Sequence, residues 1–180
     1  FKPPPLKIIN PEKAPLSIIS NKQKKDILNE MGVEYLFEQV FTHEFSRMAF
    51  EDFIFQVLIK QLKVKHIIVG DDFKFGYQGR GNVDLLKMLS RKYEKFDVTI
   101  LPQLKNKKRK ISSSYIRSLI KEGKVDQIPA YLGRFFTIEG KVIYGDSRGK
   151  KLGFPTANIE LTADYVLPPR GVYAGHVLID

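Results

Sequence analysis

The feature that most constrains the fold is the short run His66-Ile67-Ile68-Val69, set between an amphipathic stretch and a glycine-rich loop. An apolar run of this length reads as a fully buried strand of the parallel kind. Before it, Ala49 to Leu62 places Phe50, Phe53, Ile54, Val57, Leu58 and Gln61 on one side of a helix, all but the last apolar. After the loop Gly70 to Asn82, a helix is expected over Val83 to Tyr93 and a strand over Phe96 to Leu101. Helices alternating with buried strands argue an α/β doubly wound parallel sheet.

The flanks extend this pattern and then change it. Phe1 to Pro15 is proline-rich and irregular, and its first residues look like the tail of a strand. Ser20 is placed to cap a helix from Asn21 to Met31, with Gly32 as its stop. Val33 to Val40 has strand character, and Ser112 to Lys121 opens a helix that ends at Gly123. Val125 to Leu132 is expected as a short connecting helix. After Gly133, Phe135 to Tyr144 alternates like a strand with no helix behind it. Gly145 to Pro155 reads as loop and Gly171 to Ile179 as another strand. That succession reads as the opening of an all-β barrel.

Bulk properties narrow the partners. The chain has 180 residues, 43% of them hydrophobic, enough for a packed core in one large domain or one domain plus part of another. No stretch approaches the roughly 20 apolar residues of a membrane helix, so no membrane partner is expected. The first residue is Phe1 rather than Met, so the expectation is a piece of a longer chain. With no cysteine, disulfides and thiolate metal sites are excluded, which fits a cytoplasmic setting. A net charge of +10, clustered at Lys22 to Lys25 and Lys105 to Lys110, favours anionic partners, although each cluster alone reads first as solvated surface.

Two segments carry chemistry. The run Gly149-Lys150-Lys151-Leu152-Gly153-Phe154-Pro155-Thr156-Ala157-Asn158 joins glycines, lysines, a fixed proline turn, a hydroxyl and an amide. Those parts suit a nucleotide phosphate and its metal. The segment Ile111-Ser112-Ser113-Ser114-Tyr115-Ile116-Arg117 stands at an expected helix start, where unpaired N–H groups and the helix dipole favour phosphate. Arg117 is suited to bidentate phosphate contact. For the tripeptide alone, plain capping by serine is the stronger reading, but the preceding basic loop from Lys105 to Lys110 shifts the balance toward phosphate. In Gly70 to Gly81, three aromatics are available to stack on a planar ring, or else the phenylalanines simply pack inward.

Five blocks in order carry a resemblance over essentially the whole chain. They are Gly70-Asp71-Asp72-Phe73-Lys74-Phe75-Gly76, Ile111 to Arg117, Leu132-Gly133-Arg134, Gly149 to Asn158, and Leu167-Pro168-Pro169-Arg170-Gly171-Val172-Tyr173-Ala174. The chain resembles the bacterial bifunctional riboflavin kinase / FAD synthetase family. The resemblance implies ATP-dependent phosphorylation of riboflavin to FMN, and adenylylation of FMN to FAD with release of pyrophosphate. It implies ATP, Mg²⁺, riboflavin, FMN and FAD as substrates, cofactor or products. By the same resemblance, residues 1–122 form an adenylyltransferase domain, 123–132 a connecting helix, and 133–180 the start of a riboflavin kinase barrel. Ser112, Ser113, Ser114 and Arg117 would bind ATP phosphates in adenylyl transfer, with Arg117 catalytic. Asp72, Phe73 and Phe75 would line the flavin pocket. Gly149, Lys150, Gly153 and Pro155 would shape the kinase ATP loop, and Thr156 would ligate Mg²⁺ with Asn158 beside it as metal-site and catalytic partner. Arg170, Gly171, Val172 and Tyr173 would close the flavin side.

The chain departs from the family pattern at three points. A His-x-Gly-His-like element is expected before Phe1, and His43, His66 and His176 form no such pair. The family's kinase base is a glutamate later in the barrel, a context that Glu139 and Glu160 do not occupy. Ser114 replaces the usual threonine but keeps the hydroxyl. The resulting expectation is a chain inactive or impaired in both reactions by itself. The competing reading is a basic nucleic-acid-binding module without catalytic activity, but no nucleic-acid-binding motif accompanies the charge. Monomer and homo-oligomer are both compatible with the sequence.

Overall fold

A computed structural model describes residues 1–106, 109–145 and 153–179. In chain order the elements are α1 (Pro5–Ile9), α2 (Asn21–Glu30), α3 (His43–Ser46) and α4 (Phe50–Asp52), the last continued by a π-helix over Phe53–Gln61. There follow β1 (His66–Gly70), α5 (Val83–Tyr93), β2 (Asp97–Leu101), β3 (Lys105–Asn106) and β4 (Arg109–Lys110). The remainder are α6 (Ser113–Lys121), α7 (Pro129–Leu132), β5 (Gly140–Ile143) and β6 (Asn158–Leu161). The chain divides into two compact units, Phe1–Pro15 with Phe37–Lys105, and Leu16–Leu36 with Asn106–Asp180.

In the first unit, β1 and β2 pair in parallel, His66 opposite Asp97 through to Gly70 opposite Leu101. A parallel pair needs a crossover, and α5 supplies it. Asn82 caps α5 by accepting from the Leu85 N–H at 2.9 Å, and Leu86 and Leu89 drive its apolar face into the core. That core joins Ile54, Phe75, Leu86, Leu89 and Phe96, with Ile67, Val69 and Val98 packed against it from the sheet. Among the described residues only one face of the sheet is covered. Ile68, on the other face, is 63% exposed, so β1 is parallel as expected but not buried on both faces. Among the described residues the expected doubly wound sheet is represented by this one parallel pair.

The expected helix from Ala49 to Leu62 is present, and Ile54 and Val57 are buried as its apolar side requires. Its backbone, however, widens to π geometry after Asp52, with the Leu62 N–H donating to the Val57 carbonyl. A side-chain pattern selects the buried face, not the hydrogen-bond step beneath it. Val33 to Val40 forms no strand. Val40 alone bridges to Lys2, and Tyr35, Leu36 and Phe37 stay exposed because no neighbouring strand accepts their backbone.

In the second unit, α2 starts with a complete capping box. The Ser20 Oγ accepts from the Gln23 N–H, and Gln23 accepts from the Ser20 N–H at 2.7 Å. The α6 face bearing Ile116, Leu119 and Ile120 packs with Ile18, Ile128 and Val166 into a second core. A polar cluster borders it. The Tyr165 hydroxyl donates to Gln23 Oε1 at 3.1 Å, Gln23 Nε2 donates to the Thr137 carbonyl at 3.0 Å, and the Ser20 hydroxyl donates to Glu139 at 2.9 Å. Strands β5 and β6 pair antiparallel, Gly140 opposite Leu161 and Ile143 opposite Asn158.

Two barrel expectations are corrected. The strand predicted from Phe135 shortens to Gly140–Ile143, and its partner β6 was not anticipated. Gly171 to Ile179 forms no strand; Val172, Leu178 and Ile179 are exposed, since alternation alone makes no ladder without a paired neighbour. Among the described residues no barrel closes.

Candidate functional site

The β5–β6 pair and the chain entering and leaving it form an open groove of about 480 Å³. Val142, Ile143, Tyr144 and Gly145 line one side, and Pro155, Thr156, Ala157 and Asn158 the other. The antiparallel register explains the meeting, because pairing Ile143 with Asn158 brings the residues just beyond each strand end together. Three predicted site residues, Pro155, Thr156 and Asn158, are thus gathered in one place. Gly149 and Lys150 lie outside the described residues. Gly153 is described, with φ of +80°, but is not in the groove lining.

Thr156 and Asn158 offer a hydroxyl and a carboxamide oxygen, both hard donors suited to Mg²⁺. Among the described residues there is no group of three His, Asp or Glu side chains able to hold a metal. The donor set therefore fits a magnesium ion that takes its other ligands from phosphate oxygens and water, the usual habit of this ion. Gly145, Tyr144 and the β5 residues of the groove were not anticipated as site residues. The only sequence signal was the glycine immediately following a strand.

The serine segment lies at the start of α6, as expected. The Ser112 side chain accepts from the Tyr115 N–H at 3.3 Å, while Ser113 and Ser114 occupy the first turn. Arg117 does not extend freely. Its Nε donates to the Leu16 carbonyl at 2.7 Å, and partial burial pulls the guanidinium below the ordinary arginine value. One face of the fork is thereby fixed by backbone. Beside the segment, the Arg109 guanidinium lies 4.4 Å from the Tyr115 ring centre, and Tyr115 meets Tyr131 edge-on at 5.0 Å. The hydrogen bond with Tyr115 raises the Tyr131 phenol, with smaller contributions from desolvation and from charge at Tyr115.

The loop after β1 is closed by reciprocal Phe75–Gly81 backbone hydrogen bonds of 3.2 and 2.8 Å. Phe75 is 6% exposed and belongs to the core, with Phe73 stacked on it at 5.4 Å. Gly81 is obligatory here, since a Cβ would sit 2.7 Å from the Phe75 ring. Asp72 and Phe73 lie nearer the loop surface, Asp72 exposed and Phe73 half-buried. Arg170, Gly171, Val172 and Tyr173 are exposed and do not line the groove; the Tyr173 hydroxyl instead donates to the Pro169 carbonyl at 2.9 Å.

Comparison with known proteins identifies the family. Residues 1–115 match the FAD synthetase family and residues 132–180 the riboflavin kinase family. Proteins named bifunctional riboflavin kinase/FMN adenylyltransferase are similar along the chain. The one from Buchnera aphidicola subsp. Acyrthosiphon pisum (strain APS) is 37% identical over 97% of this chain and 55% of its own length. For Escherichia coli (strain K12) the values are 36%, 99% and 56%, and for Bacillus subtilis (strain 168) 36%, 97% and 54%. The chain thus spans about half the length of these curated relatives. The crystal structure of a macrolide-efflux protein from Streptococcus pneumoniae is also similar, with a TM-score of 0.78 and 32% identity, covering 88% of this chain and 50% of that one. With nearly two-thirds of its residues matched from Phe1 onward, the chain belongs to the FAD synthetase family, and a stretch similar to riboflavin kinases follows.

Proposed function

We propose that the protein works in flavin cofactor synthesis, phosphorylating riboflavin to FMN with ATP and adenylylating FMN to FAD with release of pyrophosphate. The observation that carries this reading is the groove joining Pro155, Thr156 and Asn158, inside the stretch that matches riboflavin kinases. The relatives' names, which join the two activities in one protein, support it. Functional boundaries at 1–122, 123–132 and 133–180 accompany the proposal, with a doubly wound sheet and a kinase barrel as the parent architectures.

Both reactions are transfers at phosphorus, and neither requires an enzyme nucleophile. Positioning and charge neutralisation carry the rate. In the kinase step, Thr156 and Asn158 would hold Mg²⁺, and Gly149, Lys150, Gly153 and Pro155 would shape the phosphate loop. The magnesium ion supplies neutralisation of charge on the transferring phosphoryl group. In the adenylyl step, Ser112, Ser113 and Ser114 present N–H and O–H donors to ATP phosphates at the α6 start. Arg117, already oriented through its Nε by the Leu16 carbonyl, turns its remaining N–H donors to the pyrophosphate leaving group. Asp72 and Phe73 face the flavin, with Phe75 acting through the stack it makes with Phe73. Arg170 to Tyr173 close over the riboflavin side. Among the described residues no helix is long and apolar enough to cross a membrane, and the working location proposed is cytoplasmic.

The two sites are separable by mutation. Flavins are resolved chromatographically after incubation with Mg-ATP and either riboflavin or FMN, and each variant is scored against the turnover of the unaltered chain, which by itself is expected to be impaired in both reactions. Thr156→Ala is expected to cut FMN formation by roughly a hundredfold while leaving FAD formation from FMN near wild type, as for loss of one charge-stabilising donor. Arg117→Ala is expected to do the reverse. Equal effects of either variant on both products would refute the assignment. Tight oligonucleotide binding without flavin turnover would favour the basic-module alternative.

A further inference from the structure

We propose that Gly145 is a positioning residue for Asn158: the missing side chain at 145 is what lets the Asn158 carboxamide lie in the groove beside Thr156. The inference rests on the reading of the groove as a Mg-nucleotide site. Ile143 ends β5 and pairs with Asn158, which begins β6, and the chain beyond Ile143 comes against the Asn158 side chain at Gly145. A Cβ at 145 would overlap Asn158 Nδ2 and stand 2.7 Å from its Cγ and 3.3 Å from its Oδ1. Gly145 is not among the glycines with positive φ, so a left-handed backbone does not account for it. Close approach does.

The atoms in the way decide the consequence. At 145 they are the tip of a short rotatable side chain, so alanine turns the carboxamide aside at little cost to the fold. At Gly140, in the same strand pair, a Cβ would overlap Ile159 Cγ2 and stand 2.6 Å from the Glu160 carbonyl oxygen, which is backbone and cannot rotate away. One glycine spaces the strands, and the other leaves room for a functional amide. Because Asn158 is an oxygen donor beside Thr156, turning its carboxamide removes one of the two hard ligands the groove offers.

The test follows the Asn158 side-chain amide by ¹⁵N NMR in the full chain, its signal assigned by loss in Asn158→Ala, during titration with Mg-ADP. In wild type the signal is expected to move on titration. In Gly145→Ala it starts from a different free-state position, and Mg-ADP binds about tenfold to a hundredfold more weakly, as for loss of one contact to a charged group. The far-UV spectrum stays that of wild type. Adding Gly145→Ala to Asn158→Ala weakens binding no further, which a merely structural role does not produce. Wild-type affinity in Gly145→Ala, or additive losses in the double variant, overturns the role of Gly145 and leaves the groove reading standing. Failure of Gly145→Ala to fold, unrescued by Asn158→Ala, overturns it too. If wild type itself shows no response to Mg-ADP, the groove reading falls and this inference with it.

Discussion

Gln23→Ala tests how the second unit holds its first helix to the segment that enters β5. Gln23 is buried, and its side chain makes three hydrogen bonds: from the Ser20 N–H at 2.7 Å, from the Tyr165 hydroxyl at 3.1 Å, and to the Thr137 carbonyl at 3.0 Å. Each such bond contributes about 1 kcal/mol net, giving about 3 kcal/mol for the set. Truncation also spares about 1.5–2 kcal/mol of frozen rotamer entropy, which leaves about 1–1.5 kcal/mol of destabilisation. For a chain of 180 residues that corresponds to a fall in Tm of roughly 2–6 °C. Thermal unfolding followed by far-UV circular dichroism and tyrosine fluorescence measures it, with no tryptophan to obscure the tyrosines. Tyr165→Phe loses one of the three bonds and the longer 3.4 Å contact from the Glu139 N–H, so about 1 kcal/mol is expected. The double variant should lose less than the two single losses together, because they share a bond. A Gln23→Ala melting point within 1 °C of wild type would show that water replaces these partners without cost, and the reasoning would fail.

Three further outcomes are expected. Gly140→Ala should unfold the β5–β6 pair and lower stability by about 1–3 kcal/mol, seen as a lower denaturant midpoint, whereas Gly145→Ala should not. Leu86→Ala, at a fully buried position in the first core, should cost about 2–5 kcal/mol in urea unfolding; a cost under 1 kcal/mol would mean the site collapses around the loss. Tyr131 should titrate above the ordinary phenol value, and Tyr115→Phe should return it toward that value in an NMR pH series. The sign follows from the raised value: this phenol's favourable contribution is present below the ordinary pKa and is lost as pH rises through the folded one.

Helix ends were the most legible elements. Ser20, Asn82 and Ser112 cap α2, α5 and α6 through bonds that span three residues, so nearby sequence carries the whole interaction. Strands were less legible. Val33 to Val40 and Gly171 to Ile179 carry strand-like composition without ladders, and β6 forms where no strand was expected. A strand is defined by its neighbour, which propensity does not name. In the candidate site, Pro155 to Asn158 stood out in the sequence as candidates for phosphate and metal chemistry, and the strand register gathers Pro155, Thr156 and Asn158 in one groove. Gly145 was not, because its part comes from a close approach to Asn158. Phe75 shows the same limit. Its loop invited a ring-stacking role, but Gly81 admits the ring to the core and packing decides where it goes.

By itself, the sequence determined the helix caps, the parallel character of β1, the serine start of α6 and the blocks that place the chain in its family. All of these depend on residues close along the chain. Tertiary structure alone decided that β5 and β6 pair with Ile143 opposite Asn158, that Arg117 is oriented by the Leu16 carbonyl, and that Gln23 joins Tyr165 and Thr137. Such contacts link residues roughly 15 to 140 positions apart, and their geometry is set by which surfaces the cores bring together rather than by local preference.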